Sequence, residues 1–161
     1  MTEIESALRS LTIAIQPARR AWVEVVESVL SESGLSLQLG IVILLLLRLG
    51  SYVRQKALLA ELDLHPGTLD RILGQGEAAG LLARRSSLSN RRSKTVELLS
   101  PGRALAERLE SAITALRSEV LRDVSLRDID AASRVLRALE LRSLTYLSGK
   151  RVKTGKVGAR L

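Results

Sequence analysis

Five cations fall close together in the middle of the chain: Arg84, Arg85, Arg91, Arg92 and Lys94. No acid lies between Leu81 and Val96, so this stretch is a cationic focus. Such a focus attracts polyanions (DNA, RNA or anionic lipid) without choosing among them. A second focus is the tail, where residues 148–161 carry five basic groups and no acid. Of the formal net charge of +8, residues 1–53 contribute −1 and residues 101–147 only +1.

Other chemistries find little to work with. The chain has no cysteine, which excludes disulfides, thiolate metal sites and a thiol-based peroxide sensor. Its single histidine, His65, leaves no His/Cys cluster with zinc-like spacing and no Ser/His/Asp set. The carboxylates fall beside arginines at helical spacing, as solvated ion pairs do. Gly74-Gln75-Gly76 is too short for a phosphate-binding glycine loop and does not follow a strand. No enzyme, metal or cofactor is expected. The N-terminus lacks the pattern of a secretory signal. The most apolar run, Ile41 to Leu47, is far shorter than the roughly 20 residues of a membrane span. A soluble cytoplasmic protein without a membrane partner is therefore expected.

The elements that must position the cations follow from the periodicity. Ile4, Leu8, Leu11, Ile15, Ala18, Trp22, Val25 and Val29 alternate at steps of four and three, an apolar helical seam. Pro17 predicts a kink or break in it. Ser36 caps a second helix to Leu49, apolar on all sides and so buried centrally. Tyr52 reads as an anchor for a short extended segment. A third helix over about 54–62, with Ala57, Leu58 and Leu62 on one face, leads through a turn to a fourth. That helix opens on Pro66, at a position where the missing N–H costs nothing, and ends near Gly80. The period then changes to that of two strands, Leu81–Ser86 and Lys94–Leu99, around a basic loop. Ser100-Pro101 starts a long helix, and Ser125 with Asp128 opens a last one to about Leu147. Beyond Ser148 the composition predicts disorder.

The expected fold is therefore mainly α with a small β-hairpin: a winged helix-turn-helix over 35–100. Helices at 1–34 and 101–147 flank it. Each of these has an apolar face in need of a partner, which predicts a homodimer.

The segments Glu77-Ala78-Ala79-Gly80-Leu81-Leu82, Asn90-Arg91-Arg92-Ser93-Lys94 and Val96-Glu97-Leu98-Leu99-Ser100-Pro101-Gly102-Arg103 resemble the MarR family of bacterial transcriptional regulators. They look like its recognition-helix end, wing, second wing strand and following helix. The resemblance implies a cytoplasmic bacterial homodimer on double-stranded DNA, released by a small aromatic or anionic effector. It implies that His65, Thr68 and Arg71 lie towards the major groove and that Arg92 enters the minor groove. A guanidinium suits that narrow, electronegative groove. Arg84, Arg85, Arg91 and Lys94 would then neutralise phosphates. Trp22, expected in core or dimer packing, is also the one obvious aromatic for an effector pocket.

The chain departs from the family pattern at four places. Asn90 stands where the wing usually has aspartate. Gly74 and Gly76 interrupt the reading helix, each at a cost of roughly 0.8–1 kcal/mol relative to alanine. Asp70 puts a negative charge near the expected DNA face. Gly74, Gly76 and Asp70 motivate an alternative, a winged-helix dimer that serves as a protein-interaction module, and the basic tail at 148–161 motivates another, non-specific nucleic-acid binding.

Overall fold

The computed structural model describes residues 2–86 and 94–157, with side chains described as far as Gly149. It divides into two compact units, Met1–Arg117 and Ser118–Leu161.

In the first unit, α1 spans Glu3–Glu32. Thr2 and Glu5 form a capping box, the Glu5 N–H donating to Thr2 Oγ1 (3.2 Å) and the Thr2 N–H to Glu5 Oε2 (2.7 Å). The helix is continuous across Pro17, where a kink or break was expected. Proline there removes a single bond, to the carbonyl of Ile13, in an exposed stretch where water can take its place. Only Leu30 of α1 is fully buried, while Ile4, Leu8 and Ile13 are exposed.

After Gly34, α2 (Leu37–Leu49) leaves α1 at 90°. Ser36 caps it, its Oγ accepting from the Leu39 N–H. As its composition predicts, α2 is the centre of the core. Leu39, Val42, Ile43, Leu45 and Leu46 are buried and pack with Leu58, Leu69, Ile72, Leu73, Leu82 and Val96. Each such side chain contributes about 1.5–3 kcal/mol by leaving water.

Tyr52 is not an anchor: it is 62% exposed, with a positive φ of 60°. Its neighbour Val53 is buried instead: the expected short extended segment is a strand, β1, over Val53–Arg54, and it takes in Arg54, where the third helix was expected to start. The backbone pairing decides this: once β1 joins β3, alternation turns Val53 inward. Helix α3 covers Gln55–Leu62, with Leu58 buried and Ala57 exposed. Asp63, left-handed at φ 49°, makes the turn to α4 (Pro66–Ala78).

Strands β2 (Leu82–Ser86) and β3 (Lys94–Leu98) complete an antiparallel sheet of order β1-β3-β2. The expected two-stranded hairpin thus has a third strand. The register pairs Val53 with Val96 and Val96 with Arg84, and on the opposite face Arg54 with Thr95 and Thr95 with Arg85. Helix α5 (Ser100–Val120) buries Ala106, Leu109 and Ile113.

The second unit is dominated by α6, Leu126–Val157. Ser125 caps it, its Oγ accepting from the Asp128 N–H and donating to Asp128 Oδ2. The helix continues well past the expected end at Leu147. Leu136, Leu141, Leu144, Tyr146 and Leu147 are exposed along it. No single helix among the described residues is long and apolar enough to cross a membrane.

Candidate nucleic-acid interface

Helix α4 is held at both ends by local chemistry. At its start His65 caps it, Nδ1 accepting from the Gly67 N–H at 3.2 Å. Accepting this bond leaves the neutral ring's proton on Nε2. At its end the Gly80 N–H donates to the Glu77 carbonyl and the Leu81 N–H to the Gly76 carbonyl. This is a Schellman closure, and it needs the left-handed φ of 67° that Gly80 adopts. The segment Glu77–Leu82 is thus a helix stop followed directly by a strand.

The inner face of α4 buries Leu69, Ile72, Leu73 and Gly76. Gly76 is an apolar contact in its own way. A Cβ there would lie 2.6 Å from Leu82 Cδ2 and 3.1 Å from Leu39 Cδ1, so these two leucines fill the space an apolar side chain would take. A similar close approach explains Ser-Pro-Gly at the start of α5. A Cβ on Gly102 would sit 1.8 Å from the Leu81 carbonyl oxygen, which also accepts from the Leu99 N–H. Gly74 differs, for nothing lies within 4 Å of its missing Cβ.

The outer face of α4 presents Gly67, Asp70, Arg71, Gln75 and Ala78 to solvent. Arg71 is exposed and donates from Nη2 to Gln38 Oε1 of α2 at 2.9 Å. Thr68 is half-buried beside it. Gln55, Leu59, Pro66, Gly67, Leu69 and Asp70 line a groove of about 380 Å³ between α3 and α4. The buried Gln55 Nε2 has no hydrogen-bond partner among the described residues.

The arginines of β2 are engaged within the protein. Arg84 donates to Glu77 Oε2 from Nε (3.0 Å) and Nη2 (2.6 Å), and from Nη1 to Asp70 Oδ1. Its backbone N–H also donates to Glu77 Oε1 at 3.1 Å. These bonds from Arg84 hold the Glu77 carboxyl below its ordinary range, and raise the guanidinium's own pKa. Arg85 donates from Nε to Glu97 Oε1 at 2.7 Å, a bond that likewise raises its pKa. Sequence reasoning saw no acid near these arginines because it looked along the chain. The partners arrive across the helix–strand turn and across the sheet. Asp70 is for the same reason not an isolated repulsive charge.

Lys94 is exposed at the start of β3. Asn90, Arg91 and Arg92 lie outside the described residues. Trp22 is half-buried on α1. An apolar groove of the first unit, about 490 Å³, is lined instead by Ile41, Leu44, Leu45, Leu47, Arg48, Glu61, Leu62, Glu110 and Arg117. Its rim carries two ion pairs, Arg48–Glu61 (3.2 Å) and Arg117–Glu110 (2.7 Å). These side chains went unnoticed in the sequence because only the fold brings α2, α3 and α5 together.

Two helices joined by a tight turn, then a wing sheet, define a winged helix-turn-helix. No family model matches the chain. Solved structures that this chain resembles in fold include MarR-family transcription regulators. One MarR family transcription regulator superposes with a TM-score of 0.80 at 24% identity, covering 92% of this chain and 97% of that one. A mutant of E. coli MarR complexed with operator DNA gives 0.71 at 16% identity, over 86% and 99%. CouR from Rhodococcus jostii RHA1, bound to p-coumaroyl-CoA, gives 0.69 at 17%, over 78% and 88%. The fold implied by the sequence resemblance is the fold observed.

Proposed function

We propose that the chain is a MarR-family transcription regulator, a homodimer that binds double-stranded DNA in a sequence-specific way. The observation that carries this reading is α4. Its inner face is locked into the core, while its outer face presents Asp70 and Arg71 on a surface free of bulky apolar groups. A helix so mounted can enter the major groove with its N-terminal half against base edges. Arg71 and Thr68 supply contacts there, and the His65 ring acts first as a cap. Arg85 and Lys94 reach phosphates from the wing strands, and Arg91 and Arg92, on sequence grounds, contact the backbone and the minor groove. Arg84 serves as a strut between wing and reading helix.

Dimerisation is supported by the exposed apolar side chains of α1 and α6, which a second copy would cover. A dimer matches a palindromic site. The neighbour with bound p-coumaroyl-CoA supports an effector, and the groove beside Arg48 and Arg117 has an apolar floor and a rim of two ion pairs whose guanidiniums could turn to a small aromatic or anionic molecule. Trp22 then belongs to packing.

Selection of bound duplexes from a random library tests the function. An enriched palindrome is expected, with Arg92→Ala weakening binding to it by about 1–3 kcal/mol. Recovery of unenriched sequence would favour the non-specific or protein-binding alternative.

A further inference from the structure

Asp70 is the one fully solvent-facing acid on α4, and its setting departs from that of a stray surface charge. Arg84 Nη1 is bonded to Asp70 Oδ1, while the same guanidinium is gripped twice by Glu77. The Asp70 side chain nevertheless remains 68% exposed, so the carboxylate stays within reach of a ligand. Pairing with Arg84 offsets the repulsion that a bare carboxylate would feel from phosphates. The strut also fixes the direction in which a short, two-torsion side chain points.

The surface around Asp70 is cleared. Residues three before and four after it on a helix are its direct neighbours on the same face, and here both are glycine, Gly67 and Gly74. Gly74 has open space where its side chain would be. Gly67 and Asp70 border the groove against Gln55 and Leu59. A base edge can therefore approach Asp70 from the Gly74 side without meeting a side chain at that position. That gives the helix-weakening Gly74 a physical use.

Resting on the DNA-binding reading above, we infer that Asp70, positioned by Arg84, is a specificity-determining residue that selects cytosine in the major groove. A carboxylate only accepts hydrogen bonds. In the major groove guanine and thymine offer it acceptors, and adenine sets N7 beside its amino group. Cytosine offers the N4 amino donor with no acceptor on the same ring edge.

The test takes the full chain through duplex selection, then changes the enriched operator one base pair at a time. At one symmetric pair of positions the wild type prefers cytosine over thymine by about 10- to 100-fold. Asp70→Ala, folded by its thermal transition, loses that preference to within about twofold while discriminating as before elsewhere. An Asp70→Ala profile that superimposes on wild type overturns the inference and leaves DNA reading intact. So does a loss at a position where wild type prefers another base. If wild type enriches no operator at all, the proposed function itself falls, and this inference with it.

Discussion

The inner and outer faces of α4 use the same small residues for opposite ends. On the inner face, Gly76 exists because Leu82 and Leu39 leave no room for a methyl group. On the outer face, Gly74 borders nothing at all. By helix propensity alone the two glycines are equal liabilities, and only their surroundings separate them. One is a packing requirement, whereas the other keeps a surface low. Substitutions on the inner side should therefore read out in stability, and those on the outer side in binding.

The largest effect should come from the core, first at the start of α5 and then on the inner face of α4. Gly102→Ala places a methyl group against the Leu81 backbone carbonyl rather than a flexible side chain, and should cost about 3 kcal/mol or more in urea unfolding. Gly76→Ala meets Leu82 side-chain atoms in the core and should cost about 1–3 kcal/mol. Equal and small losses at both would break the proposed division between the faces.

The strut between the faces comes next. Breaking the partly buried Arg84–Glu77 pair should cost about 1–2 kcal/mol, with coupling of about 1 kcal/mol in a double-mutant cycle. Its pH dependence has a definite sign. Because the folded Glu77 carboxyl is held below its ordinary value of 4.5, the pair's contribution is fully present above that value. It is lost as pH falls through the folded-state pKa. Glu77→Gln should flatten this acid limb of the stability curve and leave neutral-pH slopes alone.

The smallest effect has the opposite sign. Gly74→Ala should stabilise the protein by up to about 1 kcal/mol, and at the same time weaken operator binding by crowding the approach to Asp70. Gains in both would show that the open face has no reading role.

How much of this could be read from the sequence differs by region. The elements were legible because caps and periods are local: Ser36, Pro66, Gly80, Ser125 and the alternating strands each act within a few residues. The extended segment at β1 was expected too, but not its place in the sheet, which comes only through the pairing of Val53 with Val96. The same limit hid the partners of Arg84 and Arg85, which sit 7–14 residues away and converge only once helix and sheet are folded together. Pro17 does not break α1, because a proline at an exposed helical turn frees a carbonyl that water can reach. The site's cations were found by composition. Which of them are free to meet a ligand was a question of tertiary structure.

The central claim, that α4 reads sequence through its outer face, is tested most directly by comparing affinities. The full chain is titrated at one fixed, near-physiological salt concentration against its selected operator and against a scrambled duplex of equal length. A preference for the operator of about a thousandfold or more is expected. Affinities within a few-fold of each other would contradict it.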